Sequence, residues 1–264
     1  MYTFTLERPA TLAEAVRLAA AGARPLAGGQ TLLASMKLRL AAPERLADLR
    51  GVKELRGIRE EGDAFVIGAM STHLDVANHA ELKAAFPALA DLAERIGDRQ
   101  VRALGTIGGS VANNDPAACY PAAVLASGAT IVTDRRQIAA DDFFQGMFAT
   151  ALAEGELITA IRFPVPRRAV YEKLRQSASH FPLVGVFIAQ YATVVRVAIT
   201  GASGAGVFRH AGLEEALGKS FTADAAGAVK IGAGDLSSDL HATAAYRANL
   251  ISVLARRGVA RALG

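Results

Sequence analysis

Two glycine pairs are the residues in this chain whose type and spacing could do chemistry. They are Gly28-Gly29, within Ala27-Gly28-Gly29-Gln30-Thr31, and Gly108-Gly109, within Thr106-Ile107-Gly108-Gly109-Ser110. Each sets two residues without a Cβ beside a hydroxyl-bearing one. Such a stretch can bring successive backbone N–H groups up to a phosphate with no side chain in the way. The first pair also opens a helical pattern over residues 31–37, whose N-terminus favours an anion and which Thr31 could cap. Neither loop is a Walker loop, because no Gly-Lys-Ser/Thr follows, and neither has the third glycine of the Rossmann dinucleotide fingerprint. A lone Gly-Gly is ordinarily a turn. Two of them with matching hydroxyls leave a turn and a phosphate site as open alternatives.

Other chemistries find less support. The five histidines, His73, His79, His180, His210 and His241, never fall three to five residues apart. The single cysteine, Cys119, cannot build a disulfide, an iron–sulfur cluster or a cysteine-rich zinc site. No Ser/His/Asp set or carboxylate pair can be argued from spacing. The 264 residues are 52% hydrophobic and 20% charged, which excludes disorder and a collagen-like repeat. No apolar run approaches the roughly 18–20 residues that cross a bilayer. The opening Met1-Tyr2-Thr3-Phe4-Thr5-Leu6-Glu7-Arg8 lacks the order of a signal peptide, so a cytoplasmic location is expected. The net charge of +4 is modest, and its clusters, Arg167-Arg168 and Arg256-Arg257 with Arg261, are not interleaved with aromatics. A nucleic-acid surface is not expected.

The elements that must position the two loops follow from patterning. Residues 1–6 read as a strand. Thr11 and Glu14 then form a capping box for a helix whose apolar residues Leu12, Ala15, Val16 and Ala19 recur at helical spacing until Gly22. Strands are expected at 45–49, 64–67, 130–133, 157–163, 170–175, 184–191 and 193–200. Helices are expected at 82–96 (interrupted near Pro87), 120–127, 212–217, 223–228 and 246–262. Residues 105–116 are too rich in Gly and Asn for an ordinary helix or strand. Pro164-Val165-Pro166 with Arg167-Arg168 makes the best linker. Strands and helices mixed without a strict βαβ rhythm indicate an α+β chain.

With these motifs in hand the chain resembles the FAD-binding medium subunits of the molybdenum hydroxylase family, found in aerobic carbon monoxide dehydrogenases and xanthine dehydrogenases. The likeness runs in family order almost from end to end. It covers Pro25-Leu26-Ala27-Gly28-Gly29-Gln30-Thr31-Leu32-Leu33 with Met36-Lys37-Leu38-Arg39, then Ile67-Gly68-Ala69-Met70-Ser71-Thr72-His73 and Gly105-Thr106-Ile107-Gly108-Gly109-Ser110. Gly155-Glu156-Leu157-Ile158-Thr159-Ala160-Ile161-Arg162-Phe163-Pro164 and Tyr171-Glu172-Lys173-Leu174 continue it.

The resemblance implies an FAD-binding domain of the p-cresol methylhydroxylase/vanillyl-alcohol oxidase type over 1–166, in two α+β subdomains (about 1–52 and 53–166). A smaller α+β flavoprotein domain would occupy 167–264. It implies non-covalent FAD here, with molybdenum cofactor and [2Fe–2S] clusters confined to a large and a small partner subunit in a dimer of heterotrimers. Ala27, Gly28, Gly29, Gln30, Thr31, Leu32 and Leu33 would wrap the FAD diphosphate. Thr106, Ile107, Gly108, Gly109 and Ser110 would form the second half of the cradle. Ile158, and less specifically Ile96, would lie near the isoalloxazine, and Arg175 near its pyrimidine edge.

The chain departs from the family pattern at Cys119, where an acidic flavin contact is usual, and at Ser179-His180-Phe181. Two alternatives to an electron-transfer subunit therefore stay open: a scaffold of the same fold with weakened or lost FAD binding, and a self-contained flavin oxidase.

Overall fold

The computed structural model describes all 264 residues. The first elements are β1 (Thr5–Glu7), α1 (Leu12–Ala20), β2 (Arg24–Leu26), α2 (Leu32–Lys37) and β3 (Arg45–Asp48). Their strands form a parallel sheet in the order β1-β3-β2. The Thr11 hydroxyl accepts the Glu14 N–H at 3.2 Å, while the Glu14 carboxylate reaches the Ala10 N–H at 2.8 Å, one residue earlier than a capping box requires. The first glycine loop leaves the carboxyl end of β2.

The next elements are β4 (Ile58–Glu61), β5 (Ala64–Gly68), α3 (His73–Asn78), α4 (Ala80–Ala85), α5 (Pro87–Glu94), α6 (Arg99–Leu104), α7 (Ile107–Asn113) and α8 (Tyr120–Ala126). They continue as β6 (Thr130–Thr133), β7 (Gln137–Ala139), α9 (Ala140–Phe143), β8 (Phe144–Gly146), β9 (Ala149–Thr150) and β10 (Ile158–Pro164). An antiparallel sheet, β4-β5-β10-β6-β7, carries the largest core, which includes Phe65, Phe86, Tyr120 and Phe163. The helix expected at 82–96 is indeed broken at Phe86, with Pro87 in the first turn of α5, where its missing N–H costs nothing.

The last part holds β11 (Arg168–Arg175), β12 (Pro182–Gln190), β13 (Val195–Thr200), β14 (Phe208–Arg209), α10 (Ala211–Lys219), α11 (Ala223–Ala228) and α12 (Ala244–Leu263). Its antiparallel sheet, β11-β12-β13-β14, is covered on both faces. Tyr171, Phe187 and Ala198 join the large core, while Val170, Val186 and Ile188 pack with Ile251 and Leu254 of α12. Double coverage explains why β12 reads as an almost unbroken apolar run.

One expectation fails. Residues 107–113 are a helix despite their glycines. Thr106 caps it, its hydroxyl accepting the Gly109 N–H at 3.1 Å. A Cβ on Gly108 would stand 2.7 Å from the Ala69 carbonyl oxygen, so only glycine lets this helix lie against β5's exit. Tertiary packing outweighs intrinsic propensity here.

Candidate cofactor cradle

The two glycine loops touch. A Cβ on Gly28 would run into the Leu104 carbonyl and stand 2.7 Å from the Gly105 Cα. One on Gly109 would sit 3.4 Å from the Ala27 Cβ. Gly29 has φ +72°, a conformation that L side chains rarely adopt. Glycine is thus required at 28 and 29 on one side of the seam, while Gly109 meets the other side at ordinary contact distance.

Their main-chain donors differ. The N–H groups of Ala27, Gly28, Gly29, Gln30, Thr31 and Leu32 have no acceptor within the chain, and the first to find one is that of Leu33, which donates to the Gly29 carbonyl at 3.1 Å. Ala27, Gly28 and Gly29 are half-buried. Donors left unpaired in a run, beside apolar surface, form a concavity suited to an anion with several oxygens. Gln30 adds to this by donating its side-chain amide to the Gly28 carbonyl at 3.2 Å. The Thr31 hydroxyl makes no cap bond to α2, contrary to expectation, and stays free. With six residues, α2 contributes little dipole, so the loop amides are the main attraction.

On the other side of the seam the amides are engaged. Ile107 donates to the Ser71 carbonyl at 3.1 Å, Gly108 to that of Ala69 at 2.9 Å, and Ser110 to that of Thr106 at 3.0 Å. With Gly109 bonded to the Thr106 hydroxyl, this loop can offer a close-packed wall and the Ser110 side chain, and few amide donors. The wall is backed by His73, whose Nε2 lies 2.6 Å from where a Gly105 Cβ would be. Burial, then the Arg102 charge, push the His73 pKa down to about 4, so the ring is neutral at physiological pH.

The other expected residues lie outside the two loops. Ile158 is buried at the start of β10, and its neighbour Thr159 accepts the Ala69 N–H at 2.9 Å, beneath Gly108. Cys119 is buried just before α8, and the next residue, Tyr120, stacks on His73 with ring centroids 5.3 Å apart. In the loop before α8 the Asp115 carboxylate closes a tight turn by accepting the Ala117 N–H at 2.8 Å. Arg175 is exposed at the end of β11 with no ion pair and no contact recorded to either loop. Ile96 is half-buried against the large core.

Sequence reasoning missed Lys173, a buried lysine whose Nζ donates to the Arg95 and His180 carbonyls and lies 3.5 Å from the Cys119 Sγ. Its signal was available: a lysine two residues beyond the inward-facing Tyr171 on one strand.

No three His, Cys, Asp or Glu side chains gather as a metal site, and no helix is long and apolar enough to cross a membrane.

Residues 2–166 match the family model described as the FAD binding domain in molybdopterin dehydrogenase. The carbon monoxide dehydrogenase medium chain of Afipia carboxidovorans is 38% identical over 228 residues, covering 77% of this chain and 76% of that one. The medium chain of the same name from Hydrogenophaga pseudoflava is 35% identical over 215 residues, with 76% and 75% covered. A chain of the reconstituted CO dehydrogenase from Oligotropha carboxidovorans superposes with a TM-score of 0.89 at 34% identity, covering 99% of each. The unpaired amides, the side-chain-free seam and these likenesses agree: the chain belongs to the family of FAD-binding domains in molybdopterin dehydrogenases and is an oxidoreductase subunit.

Proposed function

We propose that this chain is the FAD-carrying electron-transfer subunit of a molybdenum hydroxylase complex. It would take electrons from [2Fe–2S] clusters of a small partner subunit, fed by a large molybdopterin-binding subunit, and pass them to an external acceptor. A dimer of heterotrimers is the assembly this reading implies, and the likeness to medium chains of multi-subunit enzymes supports it. In the same reading, residues 1–166 form the FAD domain, divided near residue 52, and 167–264 form the C-terminal flavoprotein domain.

The observation that carries this is the run of six unpaired N–H groups at 27–32, pressed against the wall at 104–109. When bound, FAD supplies the electron-accepting ring that no side chain of this protein can replace. The chain's own residues do the rest. The 27–32 amides and the Thr31 and Ser110 hydroxyls hold a diphosphate by charge-assisted hydrogen bonds. Gln30 occupies the Gly28 carbonyl, and the packed Gly105–Gly109 wall excludes water from the far side. Ile158 and Ile96 offer apolar surface to a flat ring, and Arg175 a cation to its edge.

The test is reconstitution: the full chain incubated with FAD and freed of excess by gel filtration. Retention of about one flavin per chain, with the cofactor's visible absorbance, is expected. A colourless chain after this treatment overturns the reading.

A further inference from the structure

Lys173 is the feature left without a role. The residue is 8% exposed, and its three polar contacts, the carbonyls of Arg95 (2.7 Å) and His180 (2.8 Å) and the Sγ of Cys119 (3.5 Å), match the three donors of an ammonium group. No carboxylate lies within ion-pair distance of it. The other buried cation here does have one: Arg247, 3% exposed, meets Asp239 at 2.7 Å, and even half-buried Arg196 meets Asp141 at 2.7 Å. Burial pushes the Lys173 pKa below the usual lysine value, Cys119 opposes this, and the positive charges of Arg95 and Arg175 add to it. Arg95 is itself balanced by Asp91 at 3.4 Å and Glu172 at 3.9 Å. Lys173 is not. Burying an ammonium without a counter-ion is costly, and such groups are seldom kept without a use.

Its position suggests the use. Cys119 leads into Tyr120, Tyr120 stacks on His73, and His73 backs Gly105 of the cradle. A continuous packed path therefore joins the uncompensated charge to the cofactor seam through a medium of low dielectric, where a charge reaches far.

We propose that Lys173 is an electrostatic positioning residue whose charge, unbalanced because position 119 holds no carboxylate, raises the reduction potential of the FAD held in the adjacent cradle. All three of its donors are already engaged, so it acts through its field and not by touching the ring. A reduced flavin carries more negative charge than the oxidised one, and a fixed cation favours the reduced form. The inference rests on the FAD reading above and adds to it a device that sets the potential.

The test compares Cys119→Asp with Cys119→Asn in the full chain loaded with FAD, by equilibrium titration against a reference dye. The two variants have the same shape and differ in one carboxylate charge beside Lys173, and repeating the pair in a Lys173→Met background separates that charge's own field on the flavin from its effect through Lys173. The expected result is that the ratio of reduced to oxidised FAD at a fixed poise falls about tenfold in the Asp variant relative to Asn. For a two-electron couple that is about 30 mV. Lys173→Met, where it folds, should lower the potential in the same direction. Equal potentials in the Asp and Asn variants, with FAD bound to both, overturn the role of Lys173 while leaving the cradle intact. A chain that holds no FAD in any variant overturns both readings.

Discussion

The two glycine loops are alike in sequence and opposite in structure. Both place Gly-Gly next to a hydroxyl residue, and both need glycine, Gly28 where main chain crosses main chain at the seam and Gly108 where its helix lies on Ala69. Yet the loop at 27–32 leaves six N–H groups unpaired, whereas every N–H from Ile107 to Ser110 has an acceptor inside the fold. In the proposed reading the first loop is an array of donors for a ligand, and the second is a wall for the array to close against. A Gly-Gly pair reports only that backbone comes close. Whether it binds depends on where its amides go, and neighbours far along the chain decide that.

The strongest way to break the contrast is Gly28→Ala. Its methyl would collide with the Leu104 carbonyl and force the loops apart. FAD affinity should fall at least about 100-fold, the loss of two charge-assisted hydrogen bonds or more. Fluorescence titration with FAD measures this, and because the methyl meets backbone the FAD-free chain should also melt at a lower temperature.

The wall can be attacked separately through pH. His73 has a folded pKa of about 4 against an ordinary value of 6.5. The unfolded chain therefore binds the proton more readily, and stability is lost as pH falls from about 6.5 to about 4. The loss is on the order of 3 kcal/mol. Denaturant unfolding across this window should show that slope, and His73→Gln should flatten it.

Gly108→Ala sharpens the comparison from the same side. Its methyl meets Ala69, and overpacking of this kind costs about 1–3 kcal/mol. Here thermal stability should drop without FAD present, while FAD affinity of the folded chain should fall less than in Gly28→Ala. Thr31→Ala should be the mildest, weakening FAD by a fewfold, about 1 kcal/mol, with no change in melting, because its hydroxyl makes no bond within the fold.

Much of this was legible in the sequence. Periodicity placed the strands at 64–67, 130–133 and 170–175 and the break before Pro87, because those segments follow local rules. The glycine loops and their convergence were also readable, through residue type and resemblance. What escaped depended on distant partners. Helix Ile107–Asn113 exists because Thr106 caps it and Ala69 needs Gly108, neither of which composition records. Lys173 shares the inward parity of Tyr171 on one strand, but its partners, the Arg95 and His180 carbonyls and Cys119, come from other parts of the chain that no pattern on that strand names.

Hydrogen exchange at single-residue resolution, with and without FAD, tests the central claim most directly. The amides of residues 28–32 should exchange quickly in the free chain and become strongly protected when FAD binds, while those of 107–110 should be protected from the start. Unchanged exchange at 28–32 on FAD binding, or protection gained at 107–110 in their place, would contradict the account.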